Sequence, residues 1–236
     1  MIRKTIKDII MPKKRTVADE KAPKEKVKVA EESVSEEKSK IVLIDPTSLL
    51  GDPEQAMAAE PDLRILGLFA DVAEEKVGEL VHALLYLDEV NRVSKEEKKK
   101  PLKFYISTYG GSADDMFALY DIMRIVRENS EIHTVGLGKV MSAGVLLLAS
   151  GTKGKRMIGR NCRVMIHSVI GGNHGSLHNM MNEMEAIEEL QDMYCDCLVA
   201  ETKLTRSKLK KMLERKVNVY LSAEEAVELG IADIII

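Results

Sequence analysis

Phe104-Tyr105-Ile106-Ser107-Thr108-Tyr109-Gly110-Gly111-Ser112-Ala113-Asp114-Asp115 changes its structural period halfway along. Up to Thr108 it is rich in β-branched and aromatic residues, as a strand is; from Ser112 it reads as the start of a helix. Ser112 with Asp115 three residues on has the Ser-x-x-Asp spacing of an N-cap, and the two glycines between make the turn. A strand feeding a helix through a two-glycine turn is the joint of an α/β domain.

The same alternation extends in both directions. Upstream, Leu63 to Phe69 reads as a strand, and Val77, Leu80, Val81, Leu84 and Leu85 fall at helical spacing. A lysine-rich stretch from Ser94 to Lys100, closed by Pro101, reads as a solvated connection. Downstream we expect a helix over 112–127, a strand from His133 to Leu137, a wholly apolar helix from Ala143 to Ala149, and a strand from Arg163 to His167. A long helix from Leu177 to Glu201 carries Met180, Met184, Ile187, Tyr194 and Leu198 on one stripe. Ser222-Ala223-Glu224-Glu225 has the capping-box spacing of a last short helix, ended by Gly230. Repeated strand and helix units predict helices covering a largely parallel sheet.

Residues 1–61 differ. Half of the first forty are charged, with mixed signs and no aromatic residue, which is too little apolar surface to offset chain entropy. We therefore expect a disordered arm and linker over 1–61 and one folded domain over 62–236. The first ten residues could form a short basic amphipathic helix, but they lack the apolar core and cleavage site of a secretory signal.

Composition narrows the function classes. The 236 residues carry 35 basic and 38 acidic side chains, a net charge of −3, which gives no electrostatic case for nucleic acid or for a membrane surface. No apolar run approaches the roughly 18 residues of a membrane span. Trp is absent and aromatics make up 4%, so aliphatic residues and 13 methionines must fill the core. The three cysteines, Cys162, Cys195 and Cys197, fit a reducing cytoplasm better than a disulfide framework. No histidine or cysteine spacing makes a metal site, and no cofactor motif is present.

Three features could carry chemistry, and each also has a plain structural use. Gly110-Gly111 can bring backbone amides close to a ligand, or can simply turn the chain. Ser142 opens the apolar helix, where the dipole favours an anion; it can equally be an N-cap. Val140 stands where a Gly-x-Ser-x-Gly nucleophile elbow needs glycine, which disfavours an α/β-hydrolase. His167 ends an apolar strand, a place for a general base or for a hydrogen-bonded structural histidine.

Taken together in their order, these segments resemble the proteolytic subunits of the Clp protease, ClpP. Ile106 to Ser112 is similar to that family's Asn-Ser-Pro-Gly-Gly segment, Gly138 to Gly144 to its nucleophile segment, and Ala149 to Arg156 to its Ala-Gly-x-x-Gly-x-Arg segment. Arg163 to His167 resembles its histidine segment, and Leu221 to Ala226, Gly230 and Asp233 fall where its closing motif would. The match runs from Phe104 to Asp233, is looser over 63–87 and does not reach 1–61.

The resemblance implies a spiral of ββα units with a protruding handle made of a strand and the long helix. It implies Ser142 as nucleophile, His167 as general base, and the amides of Gly110 and Ala143 as the oxyanion hole. Gly110, Gly111 and Ser112 on one side, and Val169, Ile170, Gly171 and Gly172 on the other, would pair with an extended peptide as added strand edges. It further implies unfolded polypeptide substrates, stacked heptameric rings of identical subunits, and an AAA+ unfoldase as partner. Counting back from Leu221, the orienting aspartate of the family falls on Asn218. An amide oxygen can hold the imidazole but cannot stabilise its charged form, and such a change can cost on the order of 10⁴ in turnover. Tyr109 stands in place of the usual proline, the loop around 94–100 is enlarged, and the N-terminal region lacks the family's axial-loop pattern. The readings that remain are a cytoplasmic serine endopeptidase, with an organellar or viral origin still compatible, and a catalytically impaired structural subunit of a mixed ring. A crotonase-type acyl-CoA enzyme, which shares the general fold, is the weakest, because it has no use for the Ser142 and His167 pair.

Overall fold

The computed structural model describes residues 63–172, 174–214 and 218–236. The expected arm and linker over 1–61 lies outside them. Three strand and helix units come first: β1 (Ile65–Leu68), α1 (Glu74–Val93), β2 (Leu102–Thr108), α2 (Ala113–Val126), β3 (Ile132–Met141) and α3 (Ala143–Ala149). Two short strands follow, β4 (Met157–Ile158) and β5 (Arg163–Ile166). The chain continues with α4 (Leu177–Glu201), α5 (Arg206–Leu213), β6 (Val219–Leu221), α6 (Ala223–Glu228) and β7 (Ile234–Ile235).

Parallel neighbours need a crossover, and α1 and α2 supply it between β1, β2 and β3. Val77, Leu80, Leu84 and Leu87 of α1, and Met116, Leu119, Tyr120, Met123 and Val126 of α2, are the faces that the crossovers bury. All seven residues of α3 are buried. Removing one large side chain there, as in Leu146→Ala, would cost about 2–5 kcal/mol in lost burial and cavity.

β3 is where the structure departs most from the sequence reading, which ended this strand at Leu137. The strand runs on to Met141 through an irregularity: its pairing with β2 passes from Ile106 opposite Gly136 to Thr108 opposite Val140. Gly138, at φ 63°, makes the bend that the sequence suggested would end the strand. On its other edge β3 changes partner across the bend, pairing with β4 at Val135 and Gly136 and with β5 at Lys139 to Met141. The sheet therefore has two arms, β4–β7, parallel, and β5–β6, antiparallel.

Other expectations sit close to the structure. The bounds of α3 and α4 are those expected, and the Ser112 hydroxyl caps α2 by accepting from the Asp115 amide at 3.2 Å. The Ser222–Glu225 capping box is present in both directions. The strand expected to end at His167 stops at Ile166. α5 and the two- and three-residue strands β4, β6 and β7 were not expected. Their pattern is too short to show a period, although Thr205 caps α5 by accepting from Lys208, and Leu209 and Leu213 repeat one turn apart beneath it.

The α4 stripe is covered at one end only. Tyr194, Cys195, Leu198 and Glu201 are buried, whereas Leu177, Met180, Met181 and Met184 are exposed. At the buried end Glu201 accepts from both outer nitrogens of Arg127, at 2.7 and 3.1 Å, and from the Tyr120 hydroxyl, and pairs with Lys153 at 2.8 Å. Burial alone would raise the Glu201 carboxyl, but hydrogen bonds from Arg127 and Lys153 bring it down to about 2. Arg156, also buried, binds Asp233 through two nitrogens and donates to the carbonyls of Ala149 and Glu201. Those bonds tie the ends of α3, α4 and the chain together.

Candidate active site

The joint after β3 sets the geometry. Ser142 has φ 54°, the only positive φ of a non-glycine residue among those described. A serine in that region is strained, by an amount of order 1–3 kcal/mol, and such strain persists where its surroundings enforce it. Here the Ser142 amide donates to the Met165 carbonyl at 2.8 Å, and the Ser142 carbonyl accepts from the Val145 amide at 3.0 Å and the Tyr194 hydroxyl at 3.1 Å. The Ser142 side chain makes no cap to α3, so the N-cap use read from the sequence is not the one adopted.

The glycine turn lies against this serine. A Cβ on Gly110 would stand 2.6 Å from Ser142 Cβ and 3.0 Å from the Met141 carbonyl oxygen, and its φ is 107°. Glycine is required there by contact as well as by conformation. The Gly110 amide donates to Thr108 Oγ1 at 3.1 Å, and its carbonyl accepts from Val72 at 2.7 Å. Gly110 is buried, and its amide is engaged with the Thr108 hydroxyl. The cleft wall is formed by Gly111. Val72 bridges Gly111 in parallel fashion, taking the Gly110 carbonyl and the Ser112 amide, which leaves Gly111's own amide and carbonyl on the opposite edge. The edge expected to bind an added strand is thus already paired on one side.

A cleft of about 310 Å³ opens at this point. Ser142, Ala143 and His167 line it together with Ser112, Val169 and Ile170, so the nucleophile and base candidates share one cavity across the β3–β5 arm. Ala143 is the first residue of α3, and its amide has no acceptor within the helix. Val169 donates its amide to Gln191 Oε1 at 2.7 Å, Ile170 is exposed, and Gly171 packs against Ile187. Asn218 is exposed and comes just before β6. β5 and β6 pair Val164 with Leu221, Met165 with Tyr220 and Ile166 with Val219, so one further pair in register would set His167 opposite Asn218. Directly opposed residues of antiparallel strands share a face. Among the described residues no hydrogen bond joins Ser142, His167 and Asn218 to one another.

Four cleft residues were missed. Met116 and Tyr194 fall within helical stripes, which mark core without distinguishing a cavity wall, Tyr109 stood in the turn, and Ala113 opens the helix after it. The Tyr109 ring lies under Lys139 Nζ at 4.6 Å. No cluster of metal-ligating side chains occurs among the described residues, and none of their helices is long and apolar enough to cross a membrane.

Residues 55–236 match the family model described as Clp protease. The chain belongs to the Clp protease family. It is 36% identical over 174 residues to the ATP-dependent Clp protease proteolytic subunit 3 of Synechococcus sp. (strain CC9902), covering 73% of this chain and 82% of that one. It is 34% identical to proteolytic subunit 2 of Prochlorococcus marinus (strain MIT 9313), with the same coverage. Proteolytic subunit 1 of Prochlorococcus marinus (strain MIT 9312) is 34% identical over 73% of this chain and 84% of its own. The matched Clp protease segment contains both the cleft and the exposed half of α4.

Proposed function

We propose that this chain is a serine endopeptidase that cleaves unfolded polypeptides inside a barrel of stacked heptameric rings. The observation that carries the reading is the strained backbone of Ser142, held at a strand-to-helix joint with His167 lining the same cleft. His167 takes the proton of the Ser142 hydroxyl as it attacks the scissile carbonyl, and later returns it to the leaving amine. Asn218, one register step beyond β6, accepts from the second imidazole nitrogen and holds the ring without adding charge. The oxyanion is met by the amides of Gly111 and Ala143. Engagement of Gly110 with Thr108 moves the first donor one residue along from the expected position.

The extended substrate runs between Gly111–Ser112 and Val169–Gly172, with main-chain pairing to the edge of Gly111 that Val72 leaves open. Leu177, Met180, Met181 and Met184 of α4 act as the handle that docks a second ring. An AAA+ unfoldase delivers substrates to the barrel in a reducing compartment. Asn218 favours a second reading, a structural subunit of a mixed ring.

A fluorophosphonate probe separates the two readings. Labelling of wild type that is lost in Ser142→Ala, together with lost peptide hydrolysis and preserved assembly, supports the peptidase; unlabelled wild type supports the structural subunit. Asn218→Asp should raise kcat tenfold or more with KM little changed, because the restored charge stabilises the imidazolium. An unchanged rate would assign the orienting role to another residue.

A further inference from the structure

Two side chains of α4, one turn apart, reach the backbone on both sides of the cleft. Tyr194 is buried, lines the cleft, and donates its hydroxyl to the carbonyl of Ser142 at 3.1 Å. Gln191 accepts the Val169 amide on Oε1 at 2.7 Å, two residues beyond His167. Its amide nitrogen donates to the Cys195 sulfur at 3.3 Å, which orients the group so that oxygen faces Val169. The i, i+3 spacing puts both residues on neighbouring parts of one helix face.

We propose that Tyr194 and Gln191 are positioning residues, a bracket that fixes the nucleophile turn and the histidine segment relative to each other. This rests on the peptidase reading. The need is physical: Ser142 sits in a backbone conformation that an L residue adopts only under constraint, and the Tyr194 hydroxyl supplies one of the few bonds to its peptide. On the other side the ladder of β5 ends at Ile166, so His167 and Ser168 lie beyond the paired part of the strand. The Val169–Gln191 bond is the next backbone anchor after that end. An error of about 1 Å between nucleophile and base costs on the order of a hundredfold in rate, so two such anchors bear on kcat while touching no reacting atom. Tyr194 also explains why a residue with a polar tip stands in an otherwise apolar stripe: the ring fills the wall of the cleft while the hydroxyl finds a backbone acceptor.

The test uses the full-length chain as wild type, Tyr194→Phe, Gln191→Met and Gln191→Glu. Three quantities are read: kcat and KM on an unstructured peptide, the rate constant and final extent of fluorophosphonate labelling, and amide exchange of the segment 168–172. Tyr194→Phe should lower kcat and the labelling rate constant by about tenfold, the size of one neutral hydrogen bond, with KM within about twofold. A merely structural role would reduce the fraction of protein that labels and leave its rate constant alone. Gln191→Met should speed exchange at 168–172 and slow labelling, and Gln191→Glu, which keeps an acceptor for Val169, should restore both. Wild-type labelling rate constants in Tyr194→Phe and Gln191→Met would overturn the bracket. If wild type itself is not labelled, the peptidase reading falls, and exchange still decides the bracket: faster exchange in Gln191→Met supports it, and unchanged exchange overturns it.

Discussion

The two ends of α4 are built on opposite terms. Its last two turns are buried and held by a knot of charge, with Glu201 bound to Arg127, Lys153 and Tyr120, and Arg156 joining the Glu201 carbonyl to Asp233. Its first two turns carry Leu177, Met180, Met181 and Met184 into the open, and make no comparable bonds beyond the Ser176 cap among the described residues. One helix thus has an end that belongs to the fold and an end that the fold does not cover. A helical stripe in sequence cannot distinguish the two, because both place apolar side chains at the same spacing.

The contrast breaks most sharply at Arg156. Arg156→Ala removes the side-chain donors of the Asp233 carboxylate and one donor from each of the Ala149 and Glu201 carbonyls, and should cost about 3–5 kcal/mol of unfolding free energy in urea titrations. A loss below about 1 kcal/mol would mean that the buried end is held by packing alone. Acid should probe the same end more gently. Because the Glu201 carboxyl is lowered to about 2 in the folded chain, its contribution is fully present above the ordinary carboxylate range. That contribution, on the order of 3 kcal/mol, disappears as pH falls from about 4.5 towards 2. The Asp233 carboxyl is shifted in the same direction: burial opposes the shift, but the Arg156 bonds outweigh it. Glu201→Gln should flatten this acid loss, measured as the pH dependence of the urea midpoint; an unaltered slope would remove Glu201 from the account. At the exposed end Met184→Asp should change the unfolding free energy by less than about 0.5 kcal/mol. The same variant should shrink the particle seen by sedimentation, and an unchanged particle would show that this half of α4 is not a docking surface.

How much of this was legible depended on what each signal encodes. The α/β alternation, the α3 and α4 bounds and the Ser112 and Ser222 caps rest on local periodicity and side-chain chemistry, which a sequence carries directly. Ser142 and His167 stood out by segment, and the sheet brings them to one cleft. The end of β3 was misread because a glycine and a lysine look like a loop, whereas the bend they make is absorbed by a change of register. Which way the Gly110 amide points is set by the Thr108 hydroxyl and by Val72, over thirty residues away, and no local pattern carries that. Tyr194 was read only as part of the α4 stripe; it is buried, and its hydroxyl reaches a backbone carbonyl that only the tertiary fold places there.

The change of partner along β3 also decides how the molecule carries load. Among the described residues the strand β7 pairs with β4 alone, and Ile236 exchanges backbone bonds with Ile158 and Arg160 on that same arm. A pull on the chain end therefore loads β4 and its rungs at Val135 and Gly136 first. Tethering or cargo fused after Ile236 would strain that arm before any other, and the Arg156–Asp233 pair would pass the load on to the ends of α3 and α4.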